Sequence, residues 1–220
     1  MSEWINELEE KHGADNTWVS YLKMSRSSPR DFDEAFKSEY SYYEDSLEML
    51  DELAGMVEKL QPPHVVQGNL ELDRPMIVPG DLEVTGTLYT SSVLIVLGNV
   101  KAKLIRDCGP DSLVLVQGNV NAALIWTDGE FHSNGEVLAT ELVYGSYNDN
   151  VLAAKHIKAP VVVQDDHMMD GEIEAEHHIA YESQEPLKSV FVEGAFNEDR
   201  EKLDYTFLAE KILAGEPVRR

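Results

Sequence analysis

The middle of this chain repeats itself. Gly98-Asn99-Val100-Lys101-Ala102 is followed by Leu104-Ile105, and Gly118-Asn119-Val120-Asn121-Ala122 by Leu124-Ile125. Gly135-Glu136-Val137-Leu138-Ala139 leads to Leu142-Val143 with one residue inserted, and Lys155-His156-Ile157-Lys158-Ala159 leads to Val161-Val162 with lysine where glycine stood. Gly68-Asn69-Leu70 and Gly80-Asp81-Leu82 are earlier, less regular turns of the same pattern. A period of about twenty residues is the size of one solenoid coil and too short for an independently folded unit. The segments combine glycine and β-branched residues at a period of two, which suits strands and not helices. In such a coil Val100, Ala102 and their counterparts point into a narrow interior and stack on their equivalents above and below. Glycine is expected at the corner, where φ is positive or the backbone bends tightly. The fold expected is mainly β: a right-handed parallel β-solenoid over residues 63–196.

The flanking regions read differently. In residues 1–62, Trp4, Ile5 and Leu8, then Trp18, Tyr21 and Leu22, fall at helical spacings, and Phe36, Tyr40, Tyr43, Leu47, Leu50, Leu53, Met56, Val57 and Leu60 recur every three or four residues. The second series predicts a long helix from Asp31, capped by Asp31 or Asp33 and ended by Pro62-Pro63. After Gln164 the pattern loosens: Ile173 and Ala175, Ile179 and Tyr181, and Val190 and Val192 before Gly194 suggest coils of changed outline. Residues 197–220 become helical again, with Leu203, Phe207, Leu208, Ile212 and Leu213 on one face and Gly215 and Pro217 as the stop. Uncovered terminal coils would expose strand edges and an apolar cross-section, so this C-terminal helix is expected to cap the stack.

Charge narrows the partners. Forty-one Asp and Glu against 18 Lys and Arg give a formal net charge of −23, a field that repels nucleic acid and anionic membranes and speeds encounter with basic proteins. A single cysteine, Cys108, excludes an intrachain disulfide and a cysteine-based zinc site. The first ten residues lack a basic start followed by an apolar run, and no apolar stretch reaches bilayer length. A cytoplasmic location is expected.

No motif names a reaction. The glycines sit at coil spacing rather than in a phosphate-binding loop, no Gly-x-Ser-x-Gly elbow occurs, and Cys108 lies in the turn Asp107-Cys108-Gly109-Pro110. Neither a catalytic residue nor a cofactor is expected. The densest chemistry is Asp165, Asp166, Asp170, Glu172, Glu174 and Glu176, interleaved with His167, His177 and His178. These are the side chains that bind zinc, manganese or calcium, yet their spacing fits no metal template. The six carboxylates are expected to bind a basic partner, and they lie so close in sequence that several of them are expected to share an edge of the stack. Two further segments are weighed: the turn Tyr144 to Asn150, and the triplet Tyr40, Tyr42 and Tyr43, whose aromatic rings suit an interface.

The Gly-Asn-Val-x-Ala coils between Val93 and Val163 resemble those of bactofilin-like polymer-forming proteins, which implies a β-solenoid that stacks end on end into a scaffold. The helical segments on both sides depart from that family. In physical type, a small, very acidic chain with an added helical segment is similar to immunity proteins, which implies occlusion of a basic toxin domain. The leading expectation is a non-enzymatic interaction protein of the immunity type, and the alternative is a self-assembling scaffold.

Overall fold

The computed structural model describes residues 3–39, 43–57, 60–109, 111–147, 149–180, 185–197 and 202–220. It is mainly β, about 47% strand, and its centre is a parallel β-solenoid of about seven turns. Four helices precede it: α1 (Glu3–His12), α2 (Thr17–Ser27), α3 (Pro29–Glu39) and α4 (Tyr43–Met56). Its strands run from β1 (Gln61–Val66) through β2 (Leu70–Leu72), β3 (Met76–Val78), β4 (Gly80–Thr90), β5 (Val93–Val96), β6 (Val100–Asp107) and β7 (Leu113–Val116). They continue through β8 (Val120–Thr127), β9 (Glu130–Ser133), β10 (Glu136–Ser146), β11 (Val151–Lys158), β12 (Val161–Asp165) and β13 (Met168–Glu174) to β14 (His177–Ala180). Helix α5 (Glu185–Val190), the antiparallel pair β15 (Phe196–Asn197) and β16 (Lys202–Leu203), and helix α6 (Tyr205–Ala214) follow.

Each coil contributes to three parallel ladders. On the first flank Leu82, Val100, Val120, Val137, Ile157 and Ile173 stand in register. On the second, Leu88, Ile105, Ile125, Val143 and Val162 do so, and on the third, Leu94, Val114, Phe131, Leu152 and Met169. These side chains meet in one interior core. Burying each contributes about 1.5–3 kcal/mol.

The outward positions separate the flanks. On the third, Ile77, Val93, Ile95 and Leu115 are apolar and pack against Trp18, Leu22, Phe36, Leu50 and Leu53 of the N-terminal helices. On the second, Leu104, Leu124, Leu142 and Val161 pack against Leu187, Phe191, Leu203, Leu208 and Ile212 of the C-terminal segment. Outward positions of the first flank are Glu83, Lys101, Asn121, Leu138, Lys158 and Glu174, each half-buried or exposed. The second flank and the early coils of the third are sheathed, and the first flank is largely polar and open.

The expected C-terminal helix is present, capped by Asp204 and ended by Gly215 in the left-handed conformation, but it touches β8 in the middle of the stack rather than lying over an end. The apolar outer row of the second flank, not the cross-section, draws it there. Val190 and Val192 belong to no further coil, because α5 and the segment after it pack on that same row. The long helix expected from Asp31 corresponds to α3 and α4, helical on either side of residues 40–42, which lie outside the described residues. Pro29 opens α3 at a position where its missing N–H costs nothing, and Asp33 is a tether rather than a cap. Its Oδ1 accepts from Ser92 Oγ at 2.7 Å and Val93 N at 3.2 Å, joining helix to solenoid. Helix α4 ends at Met56, and Pro62 and Pro63 stand in β1, the edge strand of the first coil.

The repeated Gly-Asn pair has a different cause from the one expected. Gly98, Gly118 and Gly135 do not have positive φ. Instead the Asp81 Oδ1 accepts from Asn99 N at 2.6 Å, Asn99 Oδ1 from Asn119 N at 2.9 Å, and Asn119 Oδ1 from Glu136 N at 2.9 Å. Each of these oxygens occupies the space a Cβ would need on the next coil's glycine: a Cβ added there would lie 2.3 Å from the oxygen at Gly98, 2.5 Å at Gly118 and 2.3 Å at Gly135. At the following corner Glu136 replaces asparagine and Lys155 replaces glycine. Gly118→Ala should therefore lower stability by about 1–3 kcal/mol through overpacking. Asn99→Ala should cost about 1–2 kcal/mol through the orphaned Asn119 N–H. The double variant should be less destabilised than the sum of the two, as read by urea unfolding in a double-mutant cycle.

Candidate partner-binding surface

The six carboxylates singled out in the sequence do not share an edge. They are distributed around the sixth and seventh coils, and one of them is not outward at all. Asp165 is 1% exposed. The Tyr144 hydroxyl donates to its Oδ2 at 2.5 Å, and Lys202 Nζ lies 2.9 Å from the same oxygen. Tyr144 itself stacks on Trp126, with ring centroids 3.9 Å apart, and burial with the neighbouring carboxylate raises its pKa well above the ordinary tyrosine value. Asp165 is thus a structural anchor that ties the Lys202 segment to the second flank. Asp166, at the following corner, is exposed with φ of +58°.

Asp170 lies on the third flank, in register with Ala153. Glu172 and Glu174 lie on the open first flank. There the outward residues of successive coils pair by charge: Glu83 with Lys101 at 3.4 Å, and Lys158 with Glu174 at 3.1 Å. His156 stands between two glutamates, with Nδ1 3.1 Å from Glu136 Oε1 and Nε2 3.2 Å from Glu172 Oε2. Glu174 raises the pKa of Lys158 by hydrogen bond and by charge. Glu176 is exposed beyond β13, with Arg219 Nη1 at 3.7 Å. Between coils five and seven this flank carries an open groove of about 510 Å³ floored by Ala139, Ala159 and Ala175 and edged by Lys158, Glu174 and Glu176.

The histidines interleaved with these carboxylates do not join them in a metal centre. His167 is 4% exposed, with its ring over Gly145 and its Nδ1 3.2 Å from the Tyr147 carbonyl. His178 Nε2 lies 2.7 Å from Gln164 Oε1. Among the described residues no group of three or more His, Cys, Asp and Glu side chains converges on a common point. Tyr144 to Ser146 belong to β10, so the aromatic turn begins at Tyr147, which is exposed at φ +98°. Tyr40 and Tyr42 lie outside the described residues.

One ionisable group escaped sequence reasoning. Asp107 sits inside the stack and is fully buried, its Oδ2 accepting from Thr127 Oγ1 at 2.7 Å and Gly129 N at 3.2 Å. Burial pushes its carboxyl from 3.8 up to about 7, against the opposing hydrogen bonds of Ser112, Thr127 and Gly129 and the charge of Arg106. Its partners are a coil away, and a lone Asp before Cys108-Gly109 reads as an ordinary turn residue. No protein-family model, curated protein or solved structure matches this chain.

Two outcomes follow for these buried carboxylates. The folded pKa of Asp107 exceeds the unfolded one, so its ionised form destabilises the fold above pH 7, and that penalty disappears as the pH falls toward 4. Asp107→Asn should therefore raise the urea midpoint most at pH 8, by up to about 4 kcal/mol in stability, with a gain that shrinks through pH 7 and is lost near pH 4. Asp165→Ala should instead destabilise by about 1–3 kcal/mol, because Tyr144 loses its buried acceptor. A change near zero would place Asp165 among the solvated carboxylates.

Proposed function

We propose that this protein is a non-enzymatic interaction module, most concretely an immunity-type protein that occludes a basic toxin domain with its acidic surface. The observation that carries this reading is the charge of the last coils. Between Ala159 and Leu187 the chain has eight carboxylates and no Lys or Arg, and Asp166, Asp170, Glu172, Glu174 and Glu176 are exposed there. A rigid scaffold holds them in place, so a basic partner meets an ordered negative surface and not a flexible acidic tail.

The alternative, a scaffold built by end-to-end stacking, is favoured by one feature: among the described residues β1, β2, β3, β13 and β14 are each paired on one side only. Both ends nevertheless carry the devices that oppose strand addition by copies of the same chain. Pro62 and Pro63 remove two N–H donors from β1, and the far edge is lined with like charges.

Stopped-flow association with a basic probe protein such as cytochrome c tests the proposal. The on-rate should fall at least tenfold between about 20 and 200 mM salt. It should fall severalfold in the variant Asp166→Asn, Asp170→Asn, Glu172→Gln, Glu174→Gln at low salt. A rate indifferent to both would overturn the reading.

A further inference from the structure

Strand β13 pairs with β11 on one side and, among the described residues, with nothing on the other. Earlier coils show which of its backbone groups face that free side. Leu82 N donates forward to Asn99 O and Val100 N to Asn119 O, so in this ladder the inward-pointing residues direct their backbone to the next coil. The outward-pointing ones face the previous coil, as Ala159 N to Glu174 O shows. On β13 the forward-facing residue is therefore Ile173, whose side chain is only half-buried in the interior core. The edge offers hydrogen-bonding groups and an incompletely covered apolar floor at once.

Its side chains define the complement. Glu172 and Glu174 flank Ile173 on the solvent side, and each is satisfied from the preceding coil by a basic side chain in register: His156 for Glu172 and Lys158 for Glu174. The same alternation joins Glu83 to Lys101. A strand laid on the free edge of β13 would meet Glu172 and Glu174 with its outward residues and Ile173 with its inward ones.

We infer that β13 is a docking edge for an extended basic segment of the partner, one with lysine or arginine at alternate positions and small apolar residues between them, added as an eighth coil by strand augmentation. This rests on the proposed capture of a basic protein and specifies how that protein is held. Backbone pairing supplies the register, the glutamates select the sign of charge, and Ile173 gains the cover that its counterparts receive from the next coil. A second copy of this chain is a poor occupant, because its first coil presents Pro62, Pro63 and the uncharged Val65 to these glutamates.

The test uses three end-blocked peptides of equal charge: one alternating lysine with valine, an isomer with its lysines run together, and the alternating peptide N-methylated at its lysine amides. Titration calorimetry should give the alternating peptide an affinity at least tenfold above the other two. Glu172→Gln with Glu174→Gln should remove at least tenfold of it while leaving the circular dichroism spectrum unchanged. Hydrogen exchange should slow at Ile173 and its neighbours in β13 when the peptide is bound. Equal, salt-sensitive binding of all three peptides would overturn the docking edge and leave general capture of basic proteins standing. Absence of binding by all three would also overturn the edge, and if cytochrome c then fails to associate at low salt, the underlying reading falls with it.

Discussion

Stacking of each coil on the next is the constraint on which everything else in this molecule depends. An inward side chain is chosen by its equivalents one period away: Val100 lies on Val120 and Leu82, and Ile105 on Ile125 and Leu88. Slipping a strand by one residue would turn this interior outward, so register has to be held tightly. The corner amides hold it. An asparagine oxygen that both accepts the next coil's N–H and fills the space above its glycine permits one alignment only. The exception at the next corner obeys the same contact: Glu136 directs its carboxylate to His156, the space above residue 155 no longer holds an amide oxygen, and a lysine is accommodated there.

The ladder also organises what faces outward. Apolar outer rows on two flanks recruit the helices that sheath them, and the join is reinforced by Asp33 on one side and by Asp165 with Lys202 on the other. On the first flank two pairs of coils match by charge, Glu83 with Lys101 and Lys158 with Glu174, with Asn121 and Leu138 standing between them. Among the described residues no strand pairs with the free side of β13, and Glu172 and Glu174 are matched from the preceding coil. Two buried groups oppose each other in acid: Asp107 is favoured by protonation, while burial lowers the pKa of His167 and makes its protonation costly as the pH falls below 6.5.

The coils were legible because their residues repeat. Gly98-Asn99-Val100 and Gly118-Asn119-Val120 announce a period and a strand type, and a parallel solenoid follows from them. The placement of the helices was not read, although a signal for it was present. Val93-Leu94-Ile95-Val96 and Leu113-Val114-Leu115-Val116 are apolar at every position, as strands buried on both faces are, which marks the third flank as covered. Asp165 was misjudged because its partners Tyr144 and Lys202 are 21 and 37 positions away, so sequence proximity to Asp166 and Asp170 gave it the wrong company. Glycine at the corner was recognised, but its reason lay in a contact between coils that no single repeat displays.

The proposed function requires that this solenoid present its acidic end to a basic partner and not continue into further copies of itself. Sedimentation velocity over protein concentrations of about 1–100 μM, with and without an equimolar basic probe protein at low salt, tests both halves together. The protein alone should give one slow, concentration-independent boundary, and the probe a discrete, faster complex that dissociates as salt is raised. Long, fast-sedimenting assemblies of the protein alone, with no complex formed on adding the probe, would contradict the proposed function.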